Sequence, residues 1–437
     1  MSELQLNLKL VQPAADSEAG NTVEPKSDDC SPLMARVLDR NNLDRAYHQV
    51  KRNKGAPGVD GMSVGALLDF VKEYWPVIRS QLRQGTYHPK PVKRVEIPKP
   101  DGRKRKLGIP TVLDRLIQQA ISQVLQEEWD GDFHDHSYGF RPNRNAHQAI
   151  KYAQATIKEG YTWVVDCDLD SFFDEVNHDL LMTKLKRKHQ DPIFLKLINR
   201  FLKAGILIEG QTQASTKGVP QGGPLSPILS NIVLNQLDWE LDQRALRFVR
   251  YADDAMVFVK SRQAGARVMT NLQHFVSDSL RLKVNVHKSA VDRPWKRTFL
   301  GITFSRRDFR IKVSDKSLSK LKDKVRELSR RTRGHSLNQI VLELRKSLLA
   351  YFDVSEVLSP LRDLDKWIRR RLRCYIWKQW GRSGYRQLRK RGVDRQLAWN
   401  TAKSAHGPWR LSASPALYYA LPNRYFSDLG LPALVAR

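Results

Sequence analysis

The sequence predicts an α+β protein, and three features predict it. Two apolar runs of strand character, "TWVVDCDLDSFFDEV" and "RFVRYADDAMVFVK", sit mid-chain, the first with Asp168 at the end of its strand and the second with Asp253 and Asp254 inside it. A basic stretch, "KRVEIPKPDGRKRKLGIPT", has the pattern of a β-hairpin turning at Asp101-Gly102. After residue 313 the strand signals stop, and "LSKLKDKVRELSRR", "LNQIVLELRKSLLAYF" and "LRDLDKWIRRRLRCYIWKQW" follow with helical spacing. Helices and strands mixed up to residue 313, with helices alone after it, read as α+β.

Residues 1–30 are rich in acids, Ser, Pro and Gly, and disorder is expected there. Helical periodicity begins at "SPLMARVLDRNNLDRAYHQVKRNKG" and stops at Gly55, before the turn-rich "GAPGVDG". The basic hairpin comes next, then the amphipathic helix "VLDRLIQQAISQVLQEEWD". "GVPQGGPLSPILSNIVLNQLDWELDQ" reads as a Gly/Pro-rich loop entering a helix. The run from Arg247 to Lys260 is a second hairpin, and "RTFLGITFS" is another short strand. The last part returns to loops and short helices rich in Trp and Tyr, and no internal repeat is visible.

The 437 residues carry a net charge of +29, far enough from neutral to indicate a polyanionic partner. From Asp315 to the end, 27 Lys/Arg stand against 10 Asp/Glu, so +17 of the excess lies in the final 123 residues. Trp367, Tyr375, Trp377 and Trp380 interleave with that charge, a combination suited to phosphate contacts and base stacking. No apolar run reaches the roughly 18 residues of a membrane span, so no membrane partner is expected. Cys30, Cys167 and Cys374 are scattered without a CxxC pair, so neither a zinc site nor a disulfide framework is indicated. With no signal-peptide pattern at the N-terminus, a cytoplasmic (bacterial cytosol or nucleoid) location is expected.

The neighbouring carboxylates Asp253 and Asp254 are out of place in an apolar hairpin unless something neutralises them. Asp168, at the end of the other apolar strand, is a candidate third member. Carboxylates on adjacent strand ends repel one another unless they share a cation, and Mg²⁺ is a hard ion that suits few carboxylates plus substrate phosphates. Two such ions can clamp an in-line phosphoryl transfer.

The ordered blocks "IPKPDGRKRKLGIPTVLDRLIQQAI", "HSYGFRPNRNAHQAI", "DCDLDSFFDEVNHDLL", "GVPQGGPLSPILSNIVLNQLD", "RYADDAMVF", "LKVNVHKS" and "TFLGITF" resemble the bacterial group II intron reverse transcriptases, or maturases. "LDKWIRRRLRCYIWKQW" and "AWNTAKSAHGPWRLSASPALYYAL" resemble the thumb and C-terminal regions of that family, so the likeness spans roughly residues 36–435. It implies a right-hand polymerase: fingers over 31–160, palm over 161–313, a helical thumb over 314–380 and a small basic nucleic-acid-binding segment over 381–437. It implies RNA-directed DNA synthesis with two Mg²⁺ ions, Mn²⁺ being a possible substitute, and a maturase role in intron splicing and retrohoming. The partners implied are an RNA template, in particular intron RNA, a DNA primer or target, and deoxynucleotides.

By the same resemblance Asp168, Asp253 and Asp254 are the metal ligands, and Asp166 is set aside by its register with the aromatic Phe173. Phe173 would lie under the sugar and reject a 2′-OH, or else serve as core packing. Lys99 and Arg105 match the pair that grips the triphosphate, although Lys106 stands where the family usually has Pro. Gln221 matches the residue beside the incoming nucleotide. Lys288 would protonate pyrophosphate or form a structural ion pair. Arg141 and Arg144 would contact template or nucleotide, or tie the structure together. Two departures stand out: Ser347 and Leu348 occupy the places of a Gly-Trp pair, and no His/Cys-rich endonuclease segment follows before Arg437. The rival expectations are a group II-like reverse transcriptase domesticated for DNA repair or phage defence, and a non-catalytic RNA-binding splicing factor.

Overall fold

A computed structural model describes residues 31–98, 102, 104–330, 333–348 and 354–435. The expected disordered tail, Lys99 and the Ala350–Phe352 stretch therefore lie outside the described residues. The chain separates into two compact units, one formed by residues up to Thr156 with Gly160–Asp292, the other by Ile157–Glu159 with Arg293 onward.

The first unit carries β1 (Val92–Pro98), β2 (Lys104–Ile109), β3 (Trp163–Asp166), β4 (Ile206–Ile208), β5 (Gln211–Gln213), β6 (Arg247–Tyr251), β7 (Asp254–Val259) and β8 (Ala290–Asp292). Strands β1 and β2 form the expected basic hairpin, with Lys93 opposite Ile109 and Ile97 opposite Arg105. Gly102 has φ +80°, the left-handed conformation a tight turn needs. A second hairpin, β4–β5, joins this sheet with β4 parallel to β1. It was not anticipated, because its strands have three residues each and β5 is polar and exposed. Its turn is nonetheless legible afterwards, since Glu209-Gly210 both have positive φ, as a two-residue hairpin turn requires.

The other sheet has strand order β6-β7-β3-β8, antiparallel throughout. Helix Ser226–Gln243 is buried on most of its surface, which explains its unbroken apolar character. Helix Arg262–Asp278 presses so closely on the sheet that a Cβ at Gly265 would lie 2.4 Å from Val291 Cγ1. Around these elements the N-terminal helices Pro32–Val37 and Arg40–Asn53 pack with helix Val112–Trp129 in the same core. Asp39 separates the first two by accepting from the amides of Asn41 and Asn42 as an N-cap.

The second unit opens with the antiparallel pair β9 (Ile302–Phe304) and β10 (Ile311–Val313). The three anticipated helices follow as Asp315–Leu328, Leu337–Leu348 and Ser359–Trp380. Leu348, in the place of the family's Trp, is buried at the end of the second. Short helices then run from Gly384 to Asp428. They pack on the long helix through arginine as well as apolar groups. Arg373, 1% exposed, donates to Leu421 O (2.8 Å) and Asn423 Oδ1 (2.8 Å) and lies 4.1 Å from the centre of the Tyr418 ring.

Candidate active site

A cleft of about 920 Å³ opens in the first unit, and its wall includes Asp168, Asp253, Arg105, Phe173, Gln221 and Lys288. Residues up to 183 positions apart in the sequence are brought together here, and the backbone explains how. Asp168 follows β3. Its amide donates to Ser289 Oγ (3.0 Å), and its carbonyl accepts from the Asn285 amide (2.8 Å). The 285–289 turn therefore grips Asp168 from both sides, and it places Lys288 Nζ 3.4 Å from Asp168 Oδ2.

Asp253 occupies the two-residue turn between β6 and β7, closed by the Tyr251–Asp254 pair. Burial pushes its carboxyl above the usual carboxylate range, and repulsion from Asp168 adds to this, while Arg105 and Arg250 pull the other way. Ala252, beside it in the turn, has φ +58°. Arg250 donates to the Ala252 carbonyl (2.8 Å) and pairs with Asp238 (2.5 Å), both side chains being at most 1% exposed.

Phe173 projects from the short helix Phe172–Glu175 and meets Phe172 edge-on. Its carbonyl accepts from the Val219 amide at 2.6 Å, and a Cβ at Gly218 would come within 2.8 Å of Asp174 O. The "VPQGG" loop is thus laid directly on the Phe173 segment, with Gly222 at φ +114° and Gln221 O accepting from the Gly108 amide (2.9 Å).

Asp254 is not part of the cleft wall; it starts β7, half-buried, opposite Tyr251. Among the described residues no group of three or more His, Cys, Asp or Glu side chains is disposed to hold a metal ion. What the cleft offers is a pair, Asp168 and Asp253, whose mutual repulsion a divalent cation would relieve. Two hard oxygen donors of this kind fit such an ion when substrate phosphates complete its shell.

Of the two alternatives for "YGFRPNRN", Arg141 takes the structural one. It is buried and donates to Asp130 Oδ1 (2.9 Å), His134 O (2.7 Å) and Ser137 O (3.0 Å). Arg144 pairs with Asp135 at 2.6 Å. Sequence reasoning missed Arg115, a buried arginine in the cleft wall whose helix reads only as amphipathic. It also missed the group around Arg250, in which Ser137 comes from the 136–139 strip and Asn231 and Asp238 from helix Ser226–Gln243.

This is the fold of a polymerase palm with helical additions, its carboxylates at the strand ends of an antiparallel sheet. Residues 97–304 match the family model for reverse transcriptase (RNA-dependent DNA polymerase), and residues 318–393 match that for the group II intron maturase-specific domain. Protein YkfC of Escherichia coli is 35% identical over 299 residues, covering 59% of this chain and 78% of YkfC. The group II intron-encoded protein LtrA of Lactococcus lactis is 40% identical over 209 residues, 47% of this chain and 34% of LtrA. A solved telomerase from Candida albicans, complexed with a fragment of telomeric RNA, aligns over 84% of this chain and 66% of its own at 14% identity, with a TM-score of 0.44. The chain belongs to the group II intron-encoded reverse transcriptase and maturase family, whose reverse transcriptase domain works with divalent metal ions. No helix among the described residues is long and apolar enough to cross a membrane.

Proposed function

We propose that the cleft copies RNA into DNA by adding deoxynucleotides to a primer 3′-OH, with Asp168 and Asp253 as the principal ligands of two Mg²⁺ ions. The observation that carries this is the facing of these two carboxylates in one cleft with Arg105, Phe173, Gln221 and Lys288. When bound there, the ions would supply positive charge to the attacking and leaving oxygens. Asp254, the second Asp of the pair, completes the metal-binding triad in this reading. Arg105 offers a guanidinium fork to phosphate oxygens. Lys288 presents an ammonium for holding or protonating the departing pyrophosphate. Phe173 sets a ring where a ribose 2′-OH would have to fit. The first unit then supplies fingers and palm, and the second supplies the thumb and a basic nucleic-acid-binding end.

The maturase-specific match supports a second role on group II intron RNA, in splicing and in copying the intron at a DNA target, in the cytosol where both nucleic acids are found. Asp253→Asn tests the polymerase reading. Primer extension should fall by several orders of magnitude while RNA binding is retained, and extension at the parent's rate would end this assignment. Intron RNA secondary structure flanking the gene would support the splicing role; its absence would favour a host function.

A further inference from the structure

We infer that Gly139, Ser137, Asn231, Asp238 and Arg250 form a positioning device for the Asp253 carboxylate, an inference that rests on the polymerase reading of the cleft. None of the five lines the cleft, so any effect they have on the reaction passes through the turn that carries Asp253.

The turn needs holding. Ala252 sits at φ +58°, a region that a residue with a Cβ rarely enters unless its surroundings impose it. The imposition comes from two sides. From behind, Arg250 Nη1 donates to the Ala252 carbonyl at 2.8 Å and to Asn231 Oδ1 at 3.0 Å. The rest of the guanidinium is anchored: Nε to Asp238 Oδ1 (2.7 Å), Nη2 to Asp238 Oδ2 (2.5 Å) and Nη2 to Ser137 Oγ (2.7 Å). From the other side, Gly139 lies flat against the turn. A Cβ there would stand 2.3 Å from the Ala252 nitrogen and 3.0 Å from the Tyr251 carbonyl carbon. Asn231 joins the two sides, because its Nδ2 donates to Gly139 O at 2.9 Å. The 136–139 strip is itself docked on β6, with the Arg250 amide donating to His136 O and the Tyr138 amide to Arg250 O, both at 2.9 Å.

A buried ion pair is weak evidence of stabilisation, since apolar residues of similar volume often do as well. What an apolar replacement cannot do is aim a donor at one carbonyl. Here the carbonyl is that of the residue before Asp253, and that residue is the strained one. A guanidinium with every donor direction engaged has little freedom to drift, so the turn it holds is fixed relative to Asp168, which follows strand β3.

The test uses Gly139→Ala and Ser137→Ala in the full chain, measured by circular dichroism melting, Mn²⁺ binding by electron paramagnetic resonance without nucleic acid, and single-turnover primer extension. Displacing a reacting group by about 1 Å costs on the order of 100-fold, so Gly139→Ala should lower the maximal rate by about that factor, with KM for deoxynucleotide changed less than about twofold. Ser137→Ala leaves one buried guanidinium N–H without its acceptor and should lower the rate about tenfold, with the melt lowered by only a few degrees and the protein still folded at the assay temperature. Mn²⁺ binding should weaken in both. If Gly139→Ala fails to fold, Ser137→Ala decides. Folded variants with the parent's rate and Mn²⁺ affinity overturn the inference. Asp253→Asn in parallel separates the two possible failures. If it extends primers normally, the reading of the cleft is wrong; if it is inert while both positioning variants are normal, only the positioning role is lost.

Discussion

Replacing Arg382, Arg386, Arg395 and Arg410 together with glutamine should flatten the salt dependence of nucleic-acid binding and leave the second unit folded. All four are exposed, on or beside the short helices that end the chain. Each phosphate contact releases counterions and contributes roughly 0.7–0.9 to the slope of log K against log salt, so four contacts account for about 3. Over a fourfold rise in salt, a slope smaller by 3 means the variant loses about 60-fold less affinity than the parent. Point substitutions are needed because truncation after Trp380 would strip Arg373 of Leu421 O, Asn423 Oδ1 and the Tyr418 ring, uncovering a guanidinium that the fold buries. Fluorescence anisotropy with a structured RNA and with duplex DNA across a KCl series measures the slope, and thermal melting checks the fold. A stable variant with the parent's slope would show that this charge is only a hydrated surface.

Phe173→Val should admit ribonucleotides, read as the ratio of rNTP to dNTP incorporation; an unchanged ratio would reduce Phe173 to core packing against Phe172. Arg373→Met should lower stability by about 3 kcal/mol, since it leaves two acceptors on the C-terminal helices without their charged donor, and a denaturant melt would show it. His136 is pushed down to about 4 by burial, with His134 adding to the shift. Between that value and the usual 6.5, the unfolded chain binds a proton that the folded chain refuses, so stability should fall as pH drops through this window. His136→Phe, which keeps a ring against Tyr152, should remove that part of the pH dependence of the melting temperature.

Elements with a strong period were legible in the sequence: the three helices after residue 313, the basic hairpin, and the hairpin that carries Asp253. They are long enough for periodicity to outweigh local noise. The β4–β5 hairpin was not, because strands of three residues have no period to read. Within the cleft, Asp253 announces itself as a carboxylate in an apolar run, but the 3.4 Å approach of Lys288 to Asp168 bridges 120 residues and follows from no local pattern. Arg250 was hidden for the opposite reason. An arginine in an apolar strand looks like a surface residue until Asp238 is seen opposite it. The C-terminal arginines and aromatics were legible only as composition, and the structure divides them. Arg373 and Arg370 serve the protein's own packing, the latter 4.3 Å from the Trp409 ring, while the four arginines above face outward.

The docking of residues 136–139 on β6 also bears on how this protein is made. The strip leaves the ribosome more than 100 residues before the turn it braces, and the clasp on Asp168 comes from Asn285 and Ser289, later still. Contacts so distant along the chain must close large loops before they return any free energy, so they form late in folding. The helices around the N-terminal core can assemble while synthesis continues. The cleft cannot be complete until translation has passed Ser289, and its assembly is tied to the closing stage of the first unit's folding.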